Sequence, residues 1–391
     1  MTPKAVLMGA GQIGRGFIGQ ILSNAGYEIV FLDVDRRLVE AINRYGQYKV
    51  IVMGAEEQTY IVEGIRAYTP DDPRAVDELA DAELLTTAVG PDVLTRTAPL
   101  IAAGIIRRFE AGCSLPLTVI ACENMEFGSF QLESSVHGLL NQKQLAYCGQ
   151  YIGFPDAEVS RMVMPIEDDN PLTVKVEQYV EWVVDSSKVK SGLGQISGLK
   201  LSPKPDAYVK RKIFTLTGHA MLGYLGYQAN YTYIYQAAFD DHIFETVFGA
   251  LVECGKGWCM EYGMSPEDFH QYIALMLRRF SDVRMKDPCI RVCRQPLRKL
   301  SANERFISPA RAAIKHGIRP WHIVQGIQAA IAYDCPEDEQ ASALQEMLRK
   351  GGKALVLEKV CGLTKDDMLY DMIATSAGGI APPATLKKGG P

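Results

Sequence analysis

The stretch "AVLMGAGQIGRGF" (5–17) restricts the fold of this chain more than any other. Gly9, Gly11 and Gly14 directly follow an apolar run and open a helical pattern. Each glycine suits a mechanical need. Gly9 permits a tight turn, Gly11 close backbone approach to a pyrophosphate, and Gly14 the packing of helix on strand. With Gln12 and Ile13 between them, the loop presents the unpaired N–H groups of a helix start to phosphate oxygens. Asp33 closes the second apolar run nineteen residues after Gly14, where a carboxylate can accept hydrogen bonds from adenosine ribose hydroxyls. It would repel a 2′-phosphate, which favours NAD over NADP as the cofactor. Arg36 and Arg37 are nearby cations that would serve a 2′-phosphate instead.

The rest of the first half keeps the same rhythm. The runs 4–10, 27–34, 82–90 and 116–124 read as strands, and 12–25, 36–45 and 92–111 carry apolar residues at helical spacing. Near-continuous apolar strands alternating with helices predict a parallel sheet covered on both faces. After about residue 190 a Gly/Ser/Pro-rich connection (191–206) leads into helical patterns at 207–227, 241–262, 265–280, 308–316, 321–332, 337–350 and 365–374. The expected architecture is therefore α/β: a Rossmann-like doubly wound parallel sheet (1–190) followed by a mostly α-helical second domain (191–375). Residues 376–391 read as a flexible tail. Ligands bind such sheets at the carboxyl ends of the strands, so Thr87, Val89 and Gly90 are expected beside the cofactor. Asn124 is expected on its nicotinamide side.

At 391 residues two domains are the natural reading. The net charge of −5, with 41 basic and 46 acidic residues interspersed, argues against a general role on nucleic acid or membrane surfaces. No apolar run is long enough to span a bilayer, and the first is too short for a signal peptide. The nine cysteines include no Cys-x-x-Cys, and no histidine sits at zinc-ligand spacing beside them. Reduced, mostly buried thiols, no metal and a cytoplasmic location are the corresponding expectations.

The segments "MGAGQIGRGFIGQIL", "TTAVGP", "ACENM", "TGHAMLGYLG" and "RVCRQPLRKLSANER" together resemble the polyol-specific long-chain dehydrogenases, the mannitol dehydrogenase family, in its mannitol-1-phosphate 5-dehydrogenase branch. The likeness runs in order from residue 3 to about 363. It implies an NAD-linked enzyme that interconverts mannitol 1-phosphate and fructose 6-phosphate without a metal. Its partner is a small sugar or polyol phosphate, and the chain is a monomer or small homo-oligomer.

The family's catalytic signature is Lys-x4-Asn-x2-His on a helix, with lysine as general base, asparagine steadying the alkoxide and histidine orienting substrate or base. Here "KIFTLTGHA" holds Lys212 and His219 but lacks the asparagine and is one residue shorter. Counted from Lys212, the asparagine slot falls on Thr217. The reading is Lys212 as base, with Asn124 and Thr217 bearing the alkoxide. At roughly 100° per residue, seven positions place Lys212 and His219 on nearly one helix face. Arginine is the usual device for phosphate, and within 291–300 the resemblance points to Arg294 and Lys299. Arg161 is a further candidate, for a domain interface or for the substrate. Two other readings stand beside this one: a dehydrogenase of another polyol or sugar acid (mannitol, fructuronate or tagaturonate type), and a non-catalytic NAD-binding sensor or scaffold.

Overall fold

The computed structural model describes residues 2–376 apart from Ala55, Asn124, Glu126, Pro165, Gly194, Lys204 and Met285. Asn124 and 377–391 of the tail thus lie outside the described residues. The described strands are β1 (Lys4–Met8), β2 (Glu28–Leu32), β3 (Gln47–Met53), β4 (Glu57–Glu63), β5 (Arg66–Tyr68), β6 (Leu84–Thr87), β7 (Leu117–Ala121), β8 (Ile152–Gly153), β9 (Ala157–Ser160), β10 (Val163–Met164), β11 (Val174–Glu177), β12 (Glu181–Asp185) and β13 (Leu199–Ser202).

Six of them form a parallel sheet in the order β5-β2-β1-β6-β7-β8. Side chains alternate across a strand, so Ala5 and Leu7 of β1 join one core with Phe17, Phe31 and Trp182. Val6 and Met8 join the opposite core with Leu79, Leu85, Ile101 and Val119. Burial on both faces is why these strands read as unbroken apolar runs. The chain reverses its direction of winding between β1 and β6, which opens a crevice at their carboxyl ends. The helix expected over 92–111 is divided into Pro91–Leu94, a tight turn at Thr95–Thr97, and Ala98–Glu110.

Two smaller sheets are additions to the expected pattern. One has the order β10-β11-β3-β4, and the other β13-β12-β9. In β3, Tyr48, Val50 and Val52 are buried while Gln47 and Lys49 are exposed, the alternation of a strand with one covered face. The stretch 191–206, expected as a connection, contains β13, whose four residues pair in parallel with β12. That pairing carries the first compact unit past residue 190: the units are Met1–Val209 and Lys210–Pro391.

The second unit is helical. Its main elements are Pro205–Gln228 (which crosses the boundary), Asp241–Tyr262, Pro266–Phe280, Ile307–Lys315, Trp321–Ile331, Glu339–Lys359 and Met368–Thr375. The glycines of "TGHAMLGYLG" serve close packing. A Cβ on Gly218 would press on Leu251, one on Gly223 on Val292, and one on Gly226 on Ala237.

Candidate functional site

In the first unit, the glycine loop leaves β1 and turns into a helix. Gly9 has φ +97°, and a Cβ there would sit 2.5 Å from the Ala88 carbonyl oxygen; at Gly14 it would sit 2.0 Å from the Gly9 carbonyl oxygen. Neither position admits a side chain. Gly11 faces open space, and a Cβ there would meet nothing within 4 Å, as a backbone that receives a ligand requires. Gln12 is exposed and Ile13 half-buried at the start of the helix. Residues 14–19 form a π-helical turn before the helix resumes over Gln20–Asn24.

The loop is held from both sides of one residue, Ala10. The Ala10 N–H donates to Asp33 Oδ2 at 2.6 Å, and the Arg15 guanidinium donates to the Ala10 carbonyl. Arg15 is buried and also donates to the Leu172 carbonyl at 3.0 Å. Burial holds its pKa below the usual arginine value, opposed by Tyr48 and Asp33. Asp33 further accepts from the Asp35 N–H at 2.9 Å. It remains half-exposed, and a carboxylate with about four lone-pair sites keeps capacity for ribose hydroxyls. Arg36 pairs with Asp71 at 2.7 Å, and both side chains are exposed.

At the next strand ends, Thr87 is fully buried and its hydroxyl has no partner among the described residues. The Val89 and Gly90 N–H groups are both taken by the buried Glu123 carboxylate, at 3.0 and 2.8 Å. The Gly90 carbonyl in turn accepts from the Val93 and Leu94 N–H groups, both at 3.1 Å, so Val89 and Gly90 can offer a cofactor their surface but not their amides. Arg161 lies inside this unit. Its guanidinium donates to the carbonyls of Gly16 and Glu177 and to Gln20 Oε1, and burial lowers its pKa to about 10. It braces the helix behind the glycine loop, and no substrate is needed to explain it.

In the second unit, Pro205–Gln228 is one continuous helix through 212–219, so the missing residue is absorbed without a bulge. Lys212 is half-buried. Seven residues at ~1.5 Å rise set Lys212 and His219 about 10 Å apart along one face. Thr217 does not meet its expectation. It is fully buried, with its hydroxyl 2.8 Å from the Ile213 carbonyl and 2.6 Å from that of Arg305. A hydroxyl has one proton to donate, and here it is spent on the backbone rather than left for an alkoxide.

His219 is held by two groups. Its Nε2 lies 2.9 Å from Asp287 Oδ2, and its ring stacks on Phe280 with centroids 5.1 Å apart. Arg291 grips the same carboxylate through two bonds of 2.6 Å. Burial by itself raises the Asp287 pKa, but the hydrogen bonds and charges of His219 and Arg291 outweigh it and hold it at about 2. An ionised Asp287 only accepts, so the proton between them sits on His219 Nε2. In the neutral ring Nδ1 is then an acceptor for a substrate hydroxyl.

The two expected phosphate ligands differ in situation. The Arg294 guanidinium is exposed and has no partner among the described residues. It lines a cavity of about 400 Å³ shared with Tyr333, Cys335, Glu337, Asp338 and Glu339. Lys299 is buried, and its ammonium donates to the carbonyls of Val292 and Arg294. Desolvation, then the charge of Arg305, lowers its pKa to about 8. Lys299 thus holds the Arg294 turn from behind.

Sequence reasoning missed Arg15, Glu123 and Asp287. The only signals were an arginine directly after the glycine loop and an acid within "ACEN"; nothing local singles out Asp287.

The chain matches the model of the mannitol dehydrogenase Rossmann domain over residues 3–198 and that of the mannitol dehydrogenase C-terminal domain over 204–378. Among solved structures, D-sorbitol dehydrogenase in substrate-free form superposes with a TM-score of 0.79 at 16% identity, covering 95% of this chain and 92% of that one. Mannitol 2-dehydrogenase of Pseudomonas fluorescens, in a ternary complex with NAD and D-mannitol, gives 0.63 at 16% identity, covering 95% and 87%. At such identities these likenesses show a shared fold.

Proposed function

Since the chain belongs to the mannitol dehydrogenase family, we propose that it is an NAD-dependent polyol dehydrogenase acting on a secondary alcohol. The observation that carries this reading is the glycine loop: open space at Gly11, no room for a side chain at Gly9 or Gly14, and the Asp33 carboxylate beside it. Gly9, Gly11, Gln12, Ile13 and Gly14 would hold the pyrophosphate, Asp33 the adenosine ribose, and Thr87, Val89 and Gly90 the approach to the nicotinamide. A nicotinamide held there would supply the hydride chemistry, as acceptor in oxidation and donor in reduction. Lys212 removes the hydroxyl proton as the C–H bond breaks, and supplies it to the carbonyl oxygen in reduction. His219, set by Asp287 and Phe280, orients the substrate through Nδ1. Asn124 is the candidate for bearing the alkoxide.

For the substrate we propose mannitol 1-phosphate and fructose 6-phosphate, with Arg294 as the phosphate ligand. The unpartnered guanidinium supports this assignment, because bidentate arginine matches phosphate geometry. A second reading, an unphosphorylated polyol, is favoured by Glu337 and Glu339 in the wall beside Arg294 and by an ammonium of Lys299 already given to carbonyls.

The test is spectrophotometric. Purified protein with NADH should oxidise it in the presence of fructose 6-phosphate, more efficiently than with free fructose. A preference for the free ketose would select the second reading, and no oxidation with any ketose or ketose phosphate would remove the enzyme reading. Arg294→Ala should raise KM for the phosphorylated substrate about 10-fold or more with little change for the free sugar; equal effects would remove its phosphate role.

A further inference from the structure

We propose that Glu123 is a positioning residue of the dinucleotide site, a carboxylate strap that holds the turn after β6 in the form the cofactor meets. This rests on the dinucleotide reading above. The turn is tied on three sides. The Ala88 N–H donates to the Met8 carbonyl of β1 at 2.8 Å, the Cys122 N–H after β7 donates to the Thr87 carbonyl at 3.0 Å, and Glu123 takes the two successive N–H groups of Val89 and Gly90.

Gly90 has φ +96° and ψ 148°, followed at once by Pro91 at the start of a helix. This backbone is open only to glycine. Its two neighbouring amides converge on one point, and the carboxylate at that point is only 6% exposed. The turn in turn shapes the glycine loop, because Ala88 O occupies the space where a Cβ of Gly9 would lie. A shift of the turn is therefore a shift of the wall behind Gly9.

The chemistry requires an acid. The two N–H groups meet separate oxygens, Val89 on Oε1 and Gly90 on Oε2, and a carboxylate supplies both acceptors. A glutamine of the same size supplies one oxygen and sets its NH2 group against the other amide. Because the Glu123 side chain is buried, it cannot swing away to relieve that mismatch, which makes it costly.

The experiment uses the full chain, with NADH binding followed by fluorescence and hydrogen exchange followed over residues 88–91. Glu123→Gln should weaken NADH binding roughly 10-fold or more, speed exchange at 88–91, and leave kcat at saturating NADH within about 3-fold. Glu123→Asp keeps both oxygens on a shorter arm and should recover part of the affinity. Wild-type affinity in Glu123→Gln overturns the inference, as does weakened binding without faster exchange at 88–91. If Glu123→Gln does not fold, Glu123→Asp is read by the same two criteria. A wild-type chain that binds no NADH refutes the dehydrogenase reading and this inference together, whereas normal binding by both wild type and Glu123→Gln refutes the inference alone.

Discussion

Asp33 holds the Ala10 and Asp35 amides as well as facing the expected ribose, so its two roles cannot be separated by one substitution. Asp33→Ala should weaken NADH binding about 10-fold or more without a compensating gain for NADPH, because the Ala10 N–H loses its acceptor. Titration with both nucleotides checks this, and tight NADPH binding would undo the argument. Lys212→Ala should lower kcat by roughly 10²–10⁴ while NADH binding stays intact; unchanged turnover would remove Lys212 as base. Asp287→Asn tests the seat of His219. It should reduce kcat/KM for substrate and leave NADH affinity alone, measured by steady-state kinetics beside NADH titration.

Among the elements, the loop between β1 and its helix separates two kinds of glycine. Gly14→Ala places a Cβ on the Gly9 carbonyl and should cost about 1–3 kcal/mol of stability, with loss of NADH binding. Gly11→Ala meets no protein atom. Its thermal midpoint should match wild type while NADH affinity falls, since the added methyl fills the pyrophosphate approach. Equal destabilisation by both would contradict the division. Helix geometry also governs the catalytic segment. Counted from Lys212, the residue missing from the family spacing falls after Thr217, so Thr217 keeps its register and His219 is rotated by about 100°. The Thr217 hydroxyl itself faces the backbone of Arg305.

At the scale of the whole molecule, the expected NADH site falls in the first unit and Asp287 in the second. NADH at 100 times its Kd should stabilise the native chain by about 2.7 kcal/mol, a shift that a roughly 10-fold loss of affinity in Asp33→Ala would cut to about 1.4 kcal/mol in thermal melts. The Asp287 pKa falls from 3.8 to about 2 on folding. Its contribution, on the order of 2 kcal/mol, is complete above about pH 4 and is lost as pH falls through about 2. Acid titration of wild type against Asp287→Asn should show the difference shrinking in that window. A constant difference down to pH 2 would place the effect elsewhere.

Features that depend on near neighbours in the chain were legible in the amino-acid order. Apolar runs buried on both faces marked β1, β2, β6 and β7; the glycine spacing marked the loop; the 3.6-residue period marked the helices of the second half. The alternation in β3 was equally local, but its partner β11 enters 121 residues beyond the end of β3, and no local pattern states that pairing. The site divides in the same way. Gly9, Gly11, Gly14 and Asp33 were legible because chain geometry alone sets their spacing. Folding alone settled that Glu123 straps Val89 and Gly90, that Asp287 seats His219 from 68 residues away, and that Thr217 and Lys299 turn to backbone carbonyls. A hydrogen bond depends on which groups come within about 3 Å, and across such separations that is a property of the packed chain.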